Sequence, residues 1–169
     1  MKKIGIVLII AVFGLVFSIF TANAEMAKEG SGDIRGSKSG TLQFLKMGDD
    51  RNQMNYEESG VILDAPEDSP FYHATWYGIG TLHGFQGKFQ ATGAMVFTCT
   101  NGDQIFAVVG TEGMLGKGNT GGGVKLVGGT GGCSGIEGEL VATPRPPTKS
   151  SKQGTYQQIV LGKVSWKIP

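Results

Sequence analysis

The residues of this chain that could do chemistry are few, and most lie in one segment. Tyr72-His-Ala-Thr-Trp-Tyr-Gly-Ile-Gly-Thr-Leu-His83 holds both histidines of the sequence, with two tyrosines and a tryptophan. Read as a strand with a two-residue period, it sets His73, Thr75, Tyr77, Ile79, Thr81 and His83 on one face, and Tyr72, Ala74, Trp76, Gly78, Gly80 and Leu82 on the other. If the first face is turned to an interior, His73 and Tyr77 make an acid/base pair over a cavity. If the second is, Trp76 fills that interior and the histidines are wet. Glu137 and Glu139 share another strand face, roughly 7 Å apart by strand rise, which is a spacing open to general acid/base work. Solvent-facing glutamates are the commoner outcome on such a strand, with Ile136, Gly138, Leu140 and Ala142 inward. His73, Tyr77 and Glu137 are the candidate catalytic residues, and Glu112 is a weaker one.

Other motifs dissolve on inspection. Gly116-Lys-Gly118-Asn-Thr-Gly121 spells a dinucleotide fingerprint, but the next residues, Gly-Gly-Val-Lys-Leu-Val, read as a strand where the mechanism needs a helix N-terminus. Gly110 to Lys117 is one residue too long for a phosphate loop, and Gly118 stands where Ser or Thr is required. No Gly-x-Ser-x-Gly elbow occurs. Cys99 shares a face with Met95 and Phe97, a packing or disulfide position. Cys99 and Cys133 suggest one disulfide if the chain is exported, and two inert buried thiols otherwise. Two cysteines and two histidines without clustering make no zinc site, and no motif asks for a cofactor.

The N-terminus speaks for export. Lys2 and Lys3 precede an apolar run from Ile4 to about Phe20, and Thr21-Ala22-Asn23-Ala24 closes it with an Ala-x-Ala site. This is the layout of a secretory signal peptide, residues 1–24, cut after Ala24. A membrane anchor of the same length would need no such site. The mature chain is then expected to be periplasmic or secreted, with no membrane span. Loss of Lys2 and Lys3 from 15 basic and 14 acidic residues leaves a nearly neutral chain. Scattered charge of that kind gives no electrostatic footprint for nucleic acid or anionic lipid.

After a polar, Gly/Ser-rich segment, 25–40, expected to be a flexible lead-in, residues 41–169 read as one β domain. Eight strand candidates follow: 41–47, 53–63, 72–83, 88–100, 104–112, 122–127, 136–143 and 156–168. Asn101-Gly102-Asp103 and Gly84-Phe-Gln-Gly87 supply hairpin turns. No stretch has a helical period. The expected fold is all-β: an eight-stranded antiparallel up-and-down barrel, with a β-sandwich as the alternative. Twenty-seven glycines after Ala24 suit the bulges, coiling and close backbone approach of a small barrel.

The stretch Val127-Gly-Gly-Thr-Gly-Gly-Cys-Ser-Gly-Ile-Glu-Gly138, with Met95-Val-Phe-Thr-Cys-Thr-Asn-Gly-Asp-Gln-Ile-Phe-Ala-Val-Val-Gly110 before it, resembles the Gly-Gly-Thr-Gly region of allene oxide cyclase and dirigent-like barrels. The likeness covers about Ala94 to Thr143. It implies an eight-stranded barrel with a central hydrophobic cavity, sometimes assembled as a trimer. Glu137 stands where plant dirigent sequences carry an arginine. Three functions follow as expectations: a barrel binding a small hydrophobic or aromatic molecule through Trp76, Phe89, Phe97, Phe106 and Trp166, a cofactor-free cyclase, isomerase or coupling-guide enzyme, and a filled structural barrel without ligand.

Overall fold

A computed structural model describes residues 26–115, 117–143, 145, 148–150 and 152–169. The leader expected at 1–24 lies outside the described residues. The strands are β1 (Glu29–Lys46), β2 (Arg51–Asp64), β3 (Thr75–Phe85), β4 (Lys88–Thr98), β5 (Gln104–Met114), β6 (Gly118–Gly129), β7 (Glu137–Ala142), β8 (Thr148–Lys149) and β9 (Thr155–Lys167). Each of the first seven pairs antiparallel with its sequence neighbour, β7 pairs with β9, and β9 returns to β1. Eight long strands thus close on themselves in up-and-down order, which removes the sheet edges. The two-residue β8 pairs with β9 at Gln157 and Tyr156, alongside the barrel wall. The only helical turn among the described residues is Gly131–Cys133. Continuous pairing around the ring decides for a barrel over a sandwich.

Two local expectations are corrected. Residues 29–40 are not a flexible lead-in: they are the first two thirds of β1, paired with β9 from Glu29↔Lys167 to Thr41↔Thr155. Here the inward positions are mostly glycine, Gly30, Gly32, Gly36 and Gly40, so the alternation carries little apolar signal. Strand β3 begins at Thr75, and the two residues before Ala74, Tyr72 and His73, belong to a turn, with His73 in the left-handed region at φ 54°.

Large inward residues are accommodated by glycines beside them in register. Tyr56 on β2 pairs with Gly80 on β3, which pairs with Gly93 on β4. A Cβ at Gly93 would sit 2.6 Å from the Tyr56 hydroxyl, and one at Gly80 would collide with it more severely. The ring therefore lies along the wall and leaves the lumen open.

The two ends differ. At one, the β2–β3 and β6–β7 connections fold inward. Phe71, Phe97, Ile136, Cys133 and Trp166 are buried there, with Phe71 in edge contact with Phe97 (5.4 Å between centroids) and Trp166 (6.3 Å). The Trp166 indole N–H donates to the Ala27 carbonyl at 3.0 Å. This floor carries most of the fully excluded apolar surface, the main favourable term in folding. The other end carries the hairpin tips β1–β2, β3–β4 and β5–β6 and the β7–β9 connection, and it stays open.

Candidate functional site

Strand β2 turns Met54, Tyr56, Glu58 and Ile62 to the lumen. A carboxylate in that row must find partners, because burying an unpaired charge is costly. Glu58 is only 7 % exposed, and its Oε2 accepts from the Lys38 ammonium of β1 at 2.8 Å and from the Tyr156 hydroxyl of β9 at 2.5 Å. The register explains the second contact. Glu58 pairs with Gly40, and Gly40 pairs with Tyr156. A Cβ at Gly40 would stand 2.8 Å from the Tyr156 ring, so its absence lets the phenol cross β1. Lys38, two residues back on the same face, also lies 5.7 Å from the centre of that ring.

The electrostatics keep both phenols protonated. Burial, then the negative charge of Glu58, pushes Tyr56 up to about 12. Burial, the charge of Glu58 and the hydrogen bond to it push Tyr156 upward as well. The cluster is one cation, one anion and two neutral hydroxyls, set in a mainly apolar wall whose other polar residues are Thr111, Arg145 and Gln158.

That wall encloses a cavity of about 350 Å³, within the size range of small-molecule sites, roughly 300–1,000 Å³. Its deep part is Ile34, Ile62, Trp76, Phe97 and Leu140, and toward the hairpin tips it passes Leu82 and Phe89 to Leu42, Met114, Leu115 and Arg145. Leu42 and Met114 are 37 % and 41 % exposed, so the lumen opens to solvent at its mouth, whereas Phe97 and Ile62 are buried toward its floor. The Trp76 indole Nε1 is buried without a hydrogen-bond partner, an arrangement that costs about 1–3 kcal/mol.

Of the aromatic residues expected to bind a ligand, Trp76, Phe89 and Phe97 line this cavity. Phe106 faces outward, and Trp166 is part of the floor with Phe71. The inward His73–Tyr77 pair does not form. His73 stacks on Tyr72 in the turn before β3, and His83 is exposed on the outer face. Tyr77 is 49 % exposed and donates to Glu57 at 3.0 Å on the outside of the barrel. The physical reason is Trp76: the face of β3 with the large apolar ring and the small glycines is the one that packs. Glu137 is exposed at the start of β7. Cys99 and Cys133 are buried with their sulfurs 3.7 Å apart, as two free thiols rather than a bond of about 2.05 Å.

Reasoning from sequence missed Glu58, Lys38, Tyr56 and Tyr156. One signal was available for Glu58: it alternates in phase with Met54, Tyr56 and Ile62, a charge on an otherwise apolar face. Lys38 was hidden by the glycines around it.

The fold and site define a closed antiparallel β-barrel whose lumen can hold a small hydrophobic or aromatic molecule. No protein-family model, curated protein or solved structure matches the chain significantly.

Proposed function

We propose that this barrel binds a small, mainly apolar molecule carrying one hydrogen-bonding group. The observation that carries the reading is the joint presence of a mainly apolar lumen and a polar cluster, Lys38–Glu58–Tyr156 with Tyr56, on its wall. Trp76, Phe89 and Phe97 would embrace the apolar body, while the ammonium and phenols orient its polar group. A few placed polar groups in an apolar pocket are what fixes a ligand's pose. The likeness of the Gly-Gly-Thr-Gly segment to allene oxide cyclase and dirigent-like barrels supports the same reading, and the signal-peptide pattern at 1–24 adds export to it.

A cofactor-free enzyme is the second reading. It would run through Glu58 and the two phenols, since His73, Tyr77 and Glu137 reach no common space. Glu58, engaged by two donors, is better suited to holding a group than to taking its proton.

Native mass spectrometry on the chain expressed with its own leader, compared with the same sample denatured, tests the proposal. Excess mass released on denaturation supports it. A bare mass that stays bare after incubation with apolar phenols and ketones contradicts it.

A further inference from the structure

The charges that look scattered along the sequence are sorted by the fold. The hairpin-tip end, from the last residue of one strand to the first of the next, carries Lys46, Arg51, Lys88, Lys117, Arg145 and Lys152 against Asp49 and Asp50. The floor end carries Glu29, Asp64, Glu67, Asp68, Asp103 and Glu137 against Lys28 and Lys167. Alternate connections of an up-and-down barrel lie at opposite ends, so a period of two connections in the sequence becomes polarity along the axis.

The outer wall also exposes single apolar residues such as Ile79, Val127 and Val141, but at the basic end they gather on the tips. Phe44, Leu45 and Met47 are 61 %, 60 % and 50 % exposed, and Phe85, Met114 and Leu115 are 44 %, 41 % and 39 % exposed. They occupy the tips of three separate hairpins around the mouth. The β1–β2 hairpin extends past its support on one side: β1 last pairs with β9 at Thr41↔Thr155, but with β2 as far as Lys46↔Asn52. Arg51 lies over the Phe85 ring, 4.7 Å from its centre, a cation held beside an exposed aromatic.

We infer that this end docks on an anionic lipid surface, with the apolar tips in the interfacial layer and the basic residues on the headgroups. Exposed large apolar groups clustered in this way mark an interaction site. Apolar side chains interleaved with Lys and Arg are the pattern of interfacial binding, and each added cation strengthens attachment to an anionic leaflet. The charge is complementary to such a leaflet, and the acidic floor is repelled by it, so the field sets one orientation: mouth to the bilayer. Among the described residues no helix is long and apolar enough to cross a membrane; the contact proposed is peripheral. The inference goes beyond the lumen reading and stands whether or not the lumen is filled.

Flotation of the full-length mature protein with phosphatidylcholine vesicles, and with vesicles of phosphatidylcholine and phosphatidylglycerol at a ratio of roughly 2:1, is the test. The protein is expected to float with the anionic vesicles and to be released by high salt. Lys88→Gln with Lys117→Gln should weaken that binding by about 30-fold, and Phe44→Ser with Leu45→Ser should weaken it on both vesicle types. These positions are exposed, and an unchanged circular-dichroism spectrum confirms the fold of each variant. No flotation with either vesicle, equal flotation with both, or undiminished binding of the Phe44/Leu45 variant overturns the inference. So does an oligomer in solution that the Phe44/Leu45 variant dissociates in the absence of vesicle binding, which would assign the tips to a second copy of the chain.

Discussion

Tyr156 and Glu58, 98 positions apart, meet across an intervening strand, because the β1 residue between them is Gly40. This row of three residues is the unit from which the site is built: a long side chain, a glycine for it to cross, and its partner beyond. It turns the glycine content of the chain from a puzzle into a packing rule.

The first consequence is a pH dependence. The unfolded chain releases its phenolic protons near pH 10, whereas Tyr56 holds its own until about 12 and Tyr156 is shifted the same way. Above pH ~10 the unfolded state therefore binds fewer protons than the folded one, and stability falls as pH rises. The stability contributed by these protonated phenols is fully present below pH ~10. The melting temperature should decline between pH ~10 and ~12, and the decline should shrink in Tyr56→Phe with Tyr156→Phe. Titration of both buried phenols near pH ~10, followed by tyrosinate absorbance, would contradict the assignment.

The second concerns the ion pair. Lys38 and Glu58 side chains are 19 % and 8 % exposed, so removing one partner leaves a largely buried charge. Glu58→Leu should destabilise by roughly 3 kcal/mol. Lys38→Met combined with Glu58→Leu should recover most of that loss. Denaturant unfolding of the two single variants and the double variant measures the coupling. Additive losses would mean that the pair is not coupled.

The third tests the glycine rule. Gly60 pairs with Trp76, and a Cβ there would run into the indole. Gly60→Ala should cost about 1–3 kcal/mol, as overpacking does, and should disturb the near-ultraviolet dichroism of tryptophan. A neutral substitution would show that the ring has room to move.

The fourth is redox. Cys99 and Cys133 are buried side by side on two elements of the floor. A thiol oxidant such as diamide should join them, with loss of two hydrogens from the protein's mass and reduction of the oxidant. The loop spans 34 positions, so the bond should stabilise by about 3–4 kcal/mol. Thiols still alkylatable after oxidant treatment and unfolding would rule out the bridge.

Much of the fold was legible because turn chemistry and apolar alternation agree along most of the chain. The β4–β5 turn is an example: Asn101-Gly102-Asp103 marks it, Gly102 adopts φ 88°, and the Asn101 side chain accepts from the Asp103 amide at 3.0 Å. The first two thirds of β1 were not legible, since strand formation there depends on rings supplied by β3 and β9 that lie over its glycines. Of the aromatics named from the sequence, Trp76, Phe89 and Phe97 line the cavity, while Phe106 is on the outer face, and which face of the Trp76 strand turns inward was open until the strand was placed in the barrel. Strand β5 alternates without a break, with Ile105 and Ala107 buried and Phe106 and Val108 exposed, so Phe106 belongs to the outer face. The polar cluster needed strand order as well as strand identity, because its members come from β1, β2 and β9. The charge polarity needed the alternation of the connections between two ends.

The central claim is that the lumen is a binding site, and filling it is the most direct test. Ala91 is 7 % exposed on the cavity wall, so Ala91→Phe should occupy the space without touching the outer surface. Titration with an apolar fluorescent probe, N-phenyl-1-naphthylamine, should show one saturable site in the native protein and its loss in a folded Ala91→Phe variant. Equal binding by both proteins, or no saturable binding by either, would contradict the account.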